Sequence, residues 1–103
     1  MTNTAVHITL TGDDRQRKFP LGGVYATRNA LDALLFDDVL TALARHSQGD
    51  WGDLCEDDRQ QNELCLTAGC RLFSAYRDAA ATKFWIITEA DRSLTTVLLP
   101  QDY

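Results

Sequence analysis

Three stretches in the last third of the chain are apolar runs rich in β-branched and aromatic residues and bounded by polar connections: RLFSAYR at 71–77, KFWIITE at 83–89 and SLTTVLL at 93–99. Runs of that length and composition between turn signals predict three strands. The connections, DAAAT at 78–82 and ADR at 90–92, are short and polar, so neighbouring strands run antiparallel as a meander. The middle strand carries Phe84 and Ile86 on one face, Trp85 and Ile87 on the other. A strand that is apolar on both sides is expected at the centre of a sheet, with cover over each face.

The earlier part of the chain reads as one strand followed by helices. Residues 5–10 (AVHITL) have strand composition, and 11–18 form a polar loop with Gly12 as its turn residue. Pro20 and the Gly22–Gly23 pair limit the next extended piece to about residues 24–26. Thr27 then caps a helix over 28–35. Asp37 or Asp38 restarts the helix, with Val39, Leu40, Leu43 and Ala44 on one face. That run stops at His46 and Ser47, before Gly49. A turn over 50–53 follows, with Asp53 capping a third helix that reaches Ala68, and Gly69 ends it. The expected architecture is a single α+β domain over residues 1–103. Central helices pack on a C-terminal three-stranded antiparallel meander, with an additional N-terminal strand.

Charge adds a local feature. Of 15 acids and 10 bases, six acids (Asp50, Asp53, Glu56, Asp57, Asp58, Glu63) and one base (Arg59) lie within residues 50–63, leaving nine of each elsewhere. The whole net charge of −5 therefore sits in fourteen residues. Such a surface attracts basic partners and repels phosphate. The basic residues Arg15, Arg17 and Lys18 cluster only in a loop that also holds Asp13 and Asp14. No direct nucleic-acid binding is expected. Three carboxylates in the first turn of the third helix suit the positive end of its dipole, which accounts for Glu56, Asp57 and Asp58. It accounts for neither Asp50, Glu63 nor the indole of Trp51 among them. That ring either plugs the core, its commoner role, or anchors a partner.

Candidate chemistry is sparse. At 45% hydrophobic and 24% charged residues the composition is that of an ordinary globular protein, and no apolar run approaches a bilayer span. The first residues lack the basic and apolar regions of a signal peptide, so a cytoplasmic location is expected. Three cysteines (Cys55, Cys65, Cys70) lack paired C-x2-C spacing and are expected as thiols, small core hydrophobes rather than metal ligands. His46, beside Arg45 in the last turn of its helix, suits a dipole partner. The chain contains no P-loop, G-x-S-x-G or S-x-x-K motif. Glu89 and Asp91 flank a hairpin turn, where the usual role of Asp91 is to bond its own backbone. No catalytic residue, cofactor or metal is expected. The enzyme alternative, a small hydrolase, would have to draw on His46 and the acids of 50–58.

Three segments carry a resemblance: GDWGDLCEDDR at 49–59, RLFSAY at 71–76 and FWIITEADRSLTTVLLP at 84–100. They resemble a family of small "plasmid-related" or restriction-associated proteins of bacterial plasmids, integrative elements and phages. The DAAAT turn departs from the glycine-containing turn of that family. The resemblance implies a mobile-element home, where small acidic proteins inhibit host defence by occupying basic surfaces of CRISPR or restriction complexes. The expected function is such a non-catalytic inhibitor, with Asp50, Trp51, Asp53, Glu56 and Glu63 as its partner-binding residues. Glu56 and Glu63 share a helix face with Gln60 and Thr67. The alternative is a homodimeric accessory protein that self-associates through Trp85, Ile87, Val97 and Leu99.

Overall fold

The computed structural model describes residues 4–10 and 16–103. Its elements run β1 (Ala5–Ile8), β2 (Gly23–Thr27), α1 (Arg28–Ala33), α2 (Phe36–Ser47), α3 (Glu56–Ala68), β3 (Leu72–Arg77), β4 (Lys83–Thr88) and β5 (Leu94–Leu98), with a closing 3-10 turn at Pro100–Asp102. The α+β class and the antiparallel β3–β4–β5 meander are as expected. The sheet is larger than the meander. It has five strands in the order β1-β2-β5-β4-β3, with β2 lying parallel to β5. The predicted loop over 11–18 and its Gly12 fall largely outside the described residues.

Two expectations change with this topology. The short extended piece at 24–26 is a full strand hydrogen-bonded on both sides, and β5 rather than β4 is central. The glycines that argued against a long strand allow its close approach to β5. Gly22 has φ +66°, and a Cβ there would come within 2.4 Å of the Ser93 backbone. Long-range pairing overrides the weak local propensity.

Register divides the side chains cleanly. Ile8, Val24, Thr95, Thr88 and Leu72 form one row across all five strands on the helix-covered face. Val6, Ala26, Val97, Ile86 and Ser74 form the next. On the opposite face lie His7, Tyr25, Thr96, Ile87 and Phe73, with Trp85 opposite Leu98. The proposed self-association set is thereby corrected. Trp85 and Ile87 share one face, whereas Val97 (0% exposed) and Leu99 (5%) belong to the core on the other. One residue of register moves a side chain to the opposite face, and sequence spacing cannot fix that offset between strands.

Thr27 caps α1 as expected, its hydroxyl accepting from the Ala30 amide at 3.1 Å. Gly69 ends α3 in the left-handed conformation at φ +78°. Asp53 does not cap α3; Cys55 holds that position, without a side-chain cap, because residues 51–53 are drawn onto β3 instead. The cysteines also depart from expectation. Cys65 and Cys70 are joined in a disulfide across the helix end, where the left-handed Gly69 brings their Cα atoms to 4.8 Å. Cys55 is an exposed thiol rather than a core residue.

The DAAAT turn is organised by one carboxylate. Asp78 accepts from the amides of Ala80 and Thr82 within the turn and from Leu35 at the α1–α2 junction. Asp38, in turn, accepts from the Ala79 amide, so turn and helix start are laced together from both sides. The turn leaves Ala81 at φ +67°, in the left-handed region that a Cβ disfavours. Replacing Ala81 with glycine is expected to stabilise the protein by about 0.5–1 kcal/mol, read as a higher urea midpoint at an unchanged m-value.

Candidate functional site

The edge of β3 organises the region that sequence reasoning singled out. Strand edges expose unpaired amides and carbonyls, and proteins cover them. Here Phe73 donates its amide to Asn62 Oδ1 at 3.2 Å, and its carbonyl accepts from Asn62 Nδ2 at 2.6 Å. Ala75 donates to the Trp51 carbonyl and accepts from the Asp53 amide at 2.7 Å. The turn and α3 are thus stitched along β3 by backbone pairing and one side-chain amide. The approach requires Gly52 (φ +72°), since a Cβ there would lie 2.0 Å from the Ala75 carbonyl oxygen.

Within that frame the acidic residues divide into two groups. Asp50 forms a two-point ion pair with Arg45 at 2.7 and 3.2 Å and accepts the Gly52 amide. That pairing holds its carboxyl below the ordinary aspartate value. Glu63 accepts from the Trp51 indole Nε1 at 2.7 Å. Trp51 is 3% exposed and packs against Phe19 and His46. It is a core plug, which corrects its assignment to a partner surface. Asp50 and Glu63 are exposed, but their carboxylates are committed to holding the turn. The second group, Asp53, Glu56, Asp57 and Asp58, is exposed. The Asp53 carboxylate lies 4.0 Å from Arg77, and Glu56 accepts from Gln60 at 3.3 Å.

Arg59, the one base of the segment, is exposed but folds back onto the backbone that precedes the helix. Its guanidinium donates to the carbonyls of Gly52 at 2.7 Å and Leu54 at 3.0 Å. The outward carboxylates are therefore not neutralised by the base nearest in sequence. Helix α3 buries only Asn62 and Cys65, and on its outer side Leu64 is 67% exposed. Asp57 and Leu64 lie seven residues apart, on the same stripe of the helix. The outer surface of α3 is thus a carboxylate-rich first turn with a single apolar side chain two turns along.

His46 is enclosed on the other side of the sheet edge. It is 0% exposed, and its ring bonds Ser74 Oγ through Nδ1 and Thr88 Oγ1 through Nε2, the latter at 2.9 Å. Thr88 bonds Thr95 at 2.7 Å, and Thr95 donates to the Leu21 carbonyl at 2.7 Å. That last acceptor sets every proton in the chain. Thr95 spends its hydrogen on Leu21, so Thr88 donates to Thr95 and accepts from His46 Nε2–H. Nδ1 then accepts from Ser74. Burial, with Arg92 as a second cause, pushes the His46 pKa down to about 3, keeping the ring neutral. A neutral, enclosed histidine with both nitrogens occupied is an internal tie. The acids of 50–58 do not reach it, so the His46-plus-acid arrangement is not assembled.

Sequence reasoning missed two participants. Asn62 lay unremarked in the middle of a helix, with no local signal of its pairing to β3. Arg92, at φ +61°, donates to the carbonyls of Cys65, Cys70 and Glu89 at 2.9, 2.6 and 3.1 Å, holding the C-terminal end of α3 to the β4–β5 turn. A cation there suits the helix dipole. Asp91 accepts from the Ser93 amide and hydroxyl, as expected of a turn residue, and Glu89 pairs with Arg71 at 3.0 Å.

No family model, curated protein or solved structure matches the chain. Among the described residues no helix is long and apolar enough to cross a membrane.

The buried histidine makes stability depend on pH. Its folded pKa lies below the unfolded value of about 6.5, so its contribution is complete above pH 6.5 and is lost as pH falls toward 3. Between pH 6.5 and 4, unfolding free energy should fall by about 1.4 kcal/mol per unit, read by urea titration at each pH. His46→Leu should flatten that dependence and cost about 2–4 kcal/mol at pH 7, because Ser74 and Thr88 lose their partner.

Proposed function

We propose that this is a non-catalytic binding protein of a bacterial mobile element. It acts in the cytoplasm against a CRISPR or restriction complex by covering a basic protein surface with the outer face of α3. One observation carries the reading: Arg59 folds back onto the carbonyls of Gly52 and Leu54, so Asp53, Glu56, Asp57 and Asp58 face solvent, with the exposed Leu64 two turns along the helix. A group of carboxylates at a fixed helix start favours association with a Lys/Arg surface and selects its register. An apolar residue farther along the same helix supplies contact area that charge alone does not. The choice of a defence complex as target rests on the resemblance of residues 49–59, 71–76 and 84–100.

The interface differs from the one expected from sequence. Asp53 and Glu56 stay in it, Asp57 and Asp58 join, and Asp50, Trp51 and Glu63 serve as its support. Reversal of the outer acids is therefore the informative change. Glu56→Lys combined with Asp57→Lys should leave the thermal midpoint within a few degrees of the parent and lower capture of the target complex at least tenfold. The assay is a tagged pull-down from bacteria expressing CRISPR and restriction complexes, repeated at rising salt. Undiminished capture by the variant would sink the acidic-face reading.

A second reading is favoured by a different observation. Among the described residues no helix packs over the sheet face carrying Phe73, Trp85 and the 74% exposed Tyr103, whose rings touch in sequence at 5.1 and 5.9 Å. A homodimer through this face would give twice the monomer mass by light scattering, reduced to the monomer by Trp85→Arg.

A further inference from the structure

We infer that the Cys65–Cys70 disulfide is a redox latch on α3: the oxidised bridge keeps the C-terminal half of the helix ordered, and its reduction releases that half while the sheet stays folded. The inference rests on the reading of α3 as the partner-binding face and assigns that face its regulation.

The attachment of α3 is uneven along its length. Its middle is held by the two bonds from Asn62 to Phe73, and the turn before it by Arg59 and the pairing of residues 51–53 with β3. Beyond Asn62, Cys65 is the only remaining fully buried side chain, and Cys65 is itself half of the bridge. The last turn otherwise depends on the half-buried Leu66, packed against the core, and on Arg92, which reaches the carbonyls of both cysteines from a left-handed backbone position. The bridge joins residues only five positions apart in sequence. A short loop restricts the unfolded chain little, so its loss is not expected to unfold a domain with a five-stranded sheet. Its effect is local, on the segment that has few other contacts.

The bridge is also reachable. Cys65 is 3% exposed, whereas Cys70 is half-buried. A low-molecular-weight thiolate attacks Cys70 Sγ, forming a mixed disulfide there and releasing Cys65 as thiolate. A second thiolate attacks the reductant sulfur of that mixed disulfide and releases Cys70 as thiolate. Two electrons pass from the reductant, which leaves as its own disulfide, and each cysteine sulfur takes up one proton. Freed of the bridge, residues 64–70 lose the cross-link that fastens the end of α3 to the residues leading into β3. Leu64 then no longer occupies a fixed position relative to the acids of the first turn, and binding through the face must bear the cost of ordering it.

Hydrogen exchange on the purified full chain tests this without a partner. Samples are compared after air oxidation and after reduction with dithiothreitol, alongside Cys70→Ser, and thiols are counted in each. Oxidised protein should titrate one thiol, Cys55, and reduced protein three. Reduction should speed exchange of the amides of residues 64–70 at least tenfold, with β3, β4 and β5 unchanged, and Cys70→Ser should match the reduced pattern in both conditions. Equal exchange in the two states would overturn the latch, as would three thiols after oxidation. Loss of protection throughout the sheet would also overturn it, making the bridge a global staple. Failure here leaves the charge-reversal result standing, and failure of charge reversal leaves the exchange result standing.

Discussion

A neutral histidine ring held between two hydroxyls ties the helical layer to the sheet. His46 leaves α2 and meets Ser74 on β3 and Thr88 on β4; Thr88 passes the chain of bonds to Thr95 on β5, which ends on the carbonyl of Leu21. One side chain thereby fixes the position of α2 over three strands and over the segment that leads into β2. The geometry is demanding, because each hydroxyl has one hydrogen and the terminal carbonyl dictates which way all of them point. Buried polar groups are costly when unpaired. A slip of α2 along the sheet would strand several of them together, and the network therefore selects one packing among the many that apolar contacts alone would tolerate. Phe19 and Trp51 close around the ring, so the same residue also organises the aromatic part of the core.

The second constraint is the outer edge of β3. A five-stranded sheet has two edges, and on this one Phe73 and Ala75 both have their outward backbone groups occupied. Neither partner is a strand. One is the side-chain amide of Asn62, whose oxygen and nitrogen mimic a peptide group, and the other is a three-residue turn made possible by Gly52. The acidic segment owes its position to this arrangement. The side chains of Asp50, Arg59 and Glu63 are consumed in fixing the turn, whereas Asp53 is held there by its backbone and leaves its carboxylate exposed, and Glu56, Asp57 and Asp58 are exposed as well. Structural and binding roles within the segment are therefore separated by what each side chain bonds rather than by residue type.

Much of this was legible in the chain. Short apolar runs rich in β-branched and aromatic residues, bounded by polar turns, identified β3, β4 and β5 to within one residue at each end. Thr27 and Gly69 marked helix ends correctly, because capping is decided by the residue and its immediate neighbours. The indole of Trp51 was correctly weighed toward the core. Errors arose where the outcome depended on distant segments: β2 read as a fragment, since its glycines look unfavourable until β5 lies alongside, and Asp53 read as a cap until β3 claimed its amide.

Local composition, periodicity and capping chemistry thus determined the class of the domain, the meander, the helix ends and the concentration of negative charge in residues 50–63. Only the tertiary structure decided which carboxylates face outward, which sheet face each of Val97 and Trp85 occupies, which cysteines meet and what His46 touches. The physical reason is the range of the interactions. Propensity and dipole effects act within one or two turns of the chain and are written there. Register across strands, the pairing of Asn62 with β3 and the hydroxyl chain from Ser74 to Leu21 join residues up to 74 positions apart, and such pairs exist only once the sheet has closed.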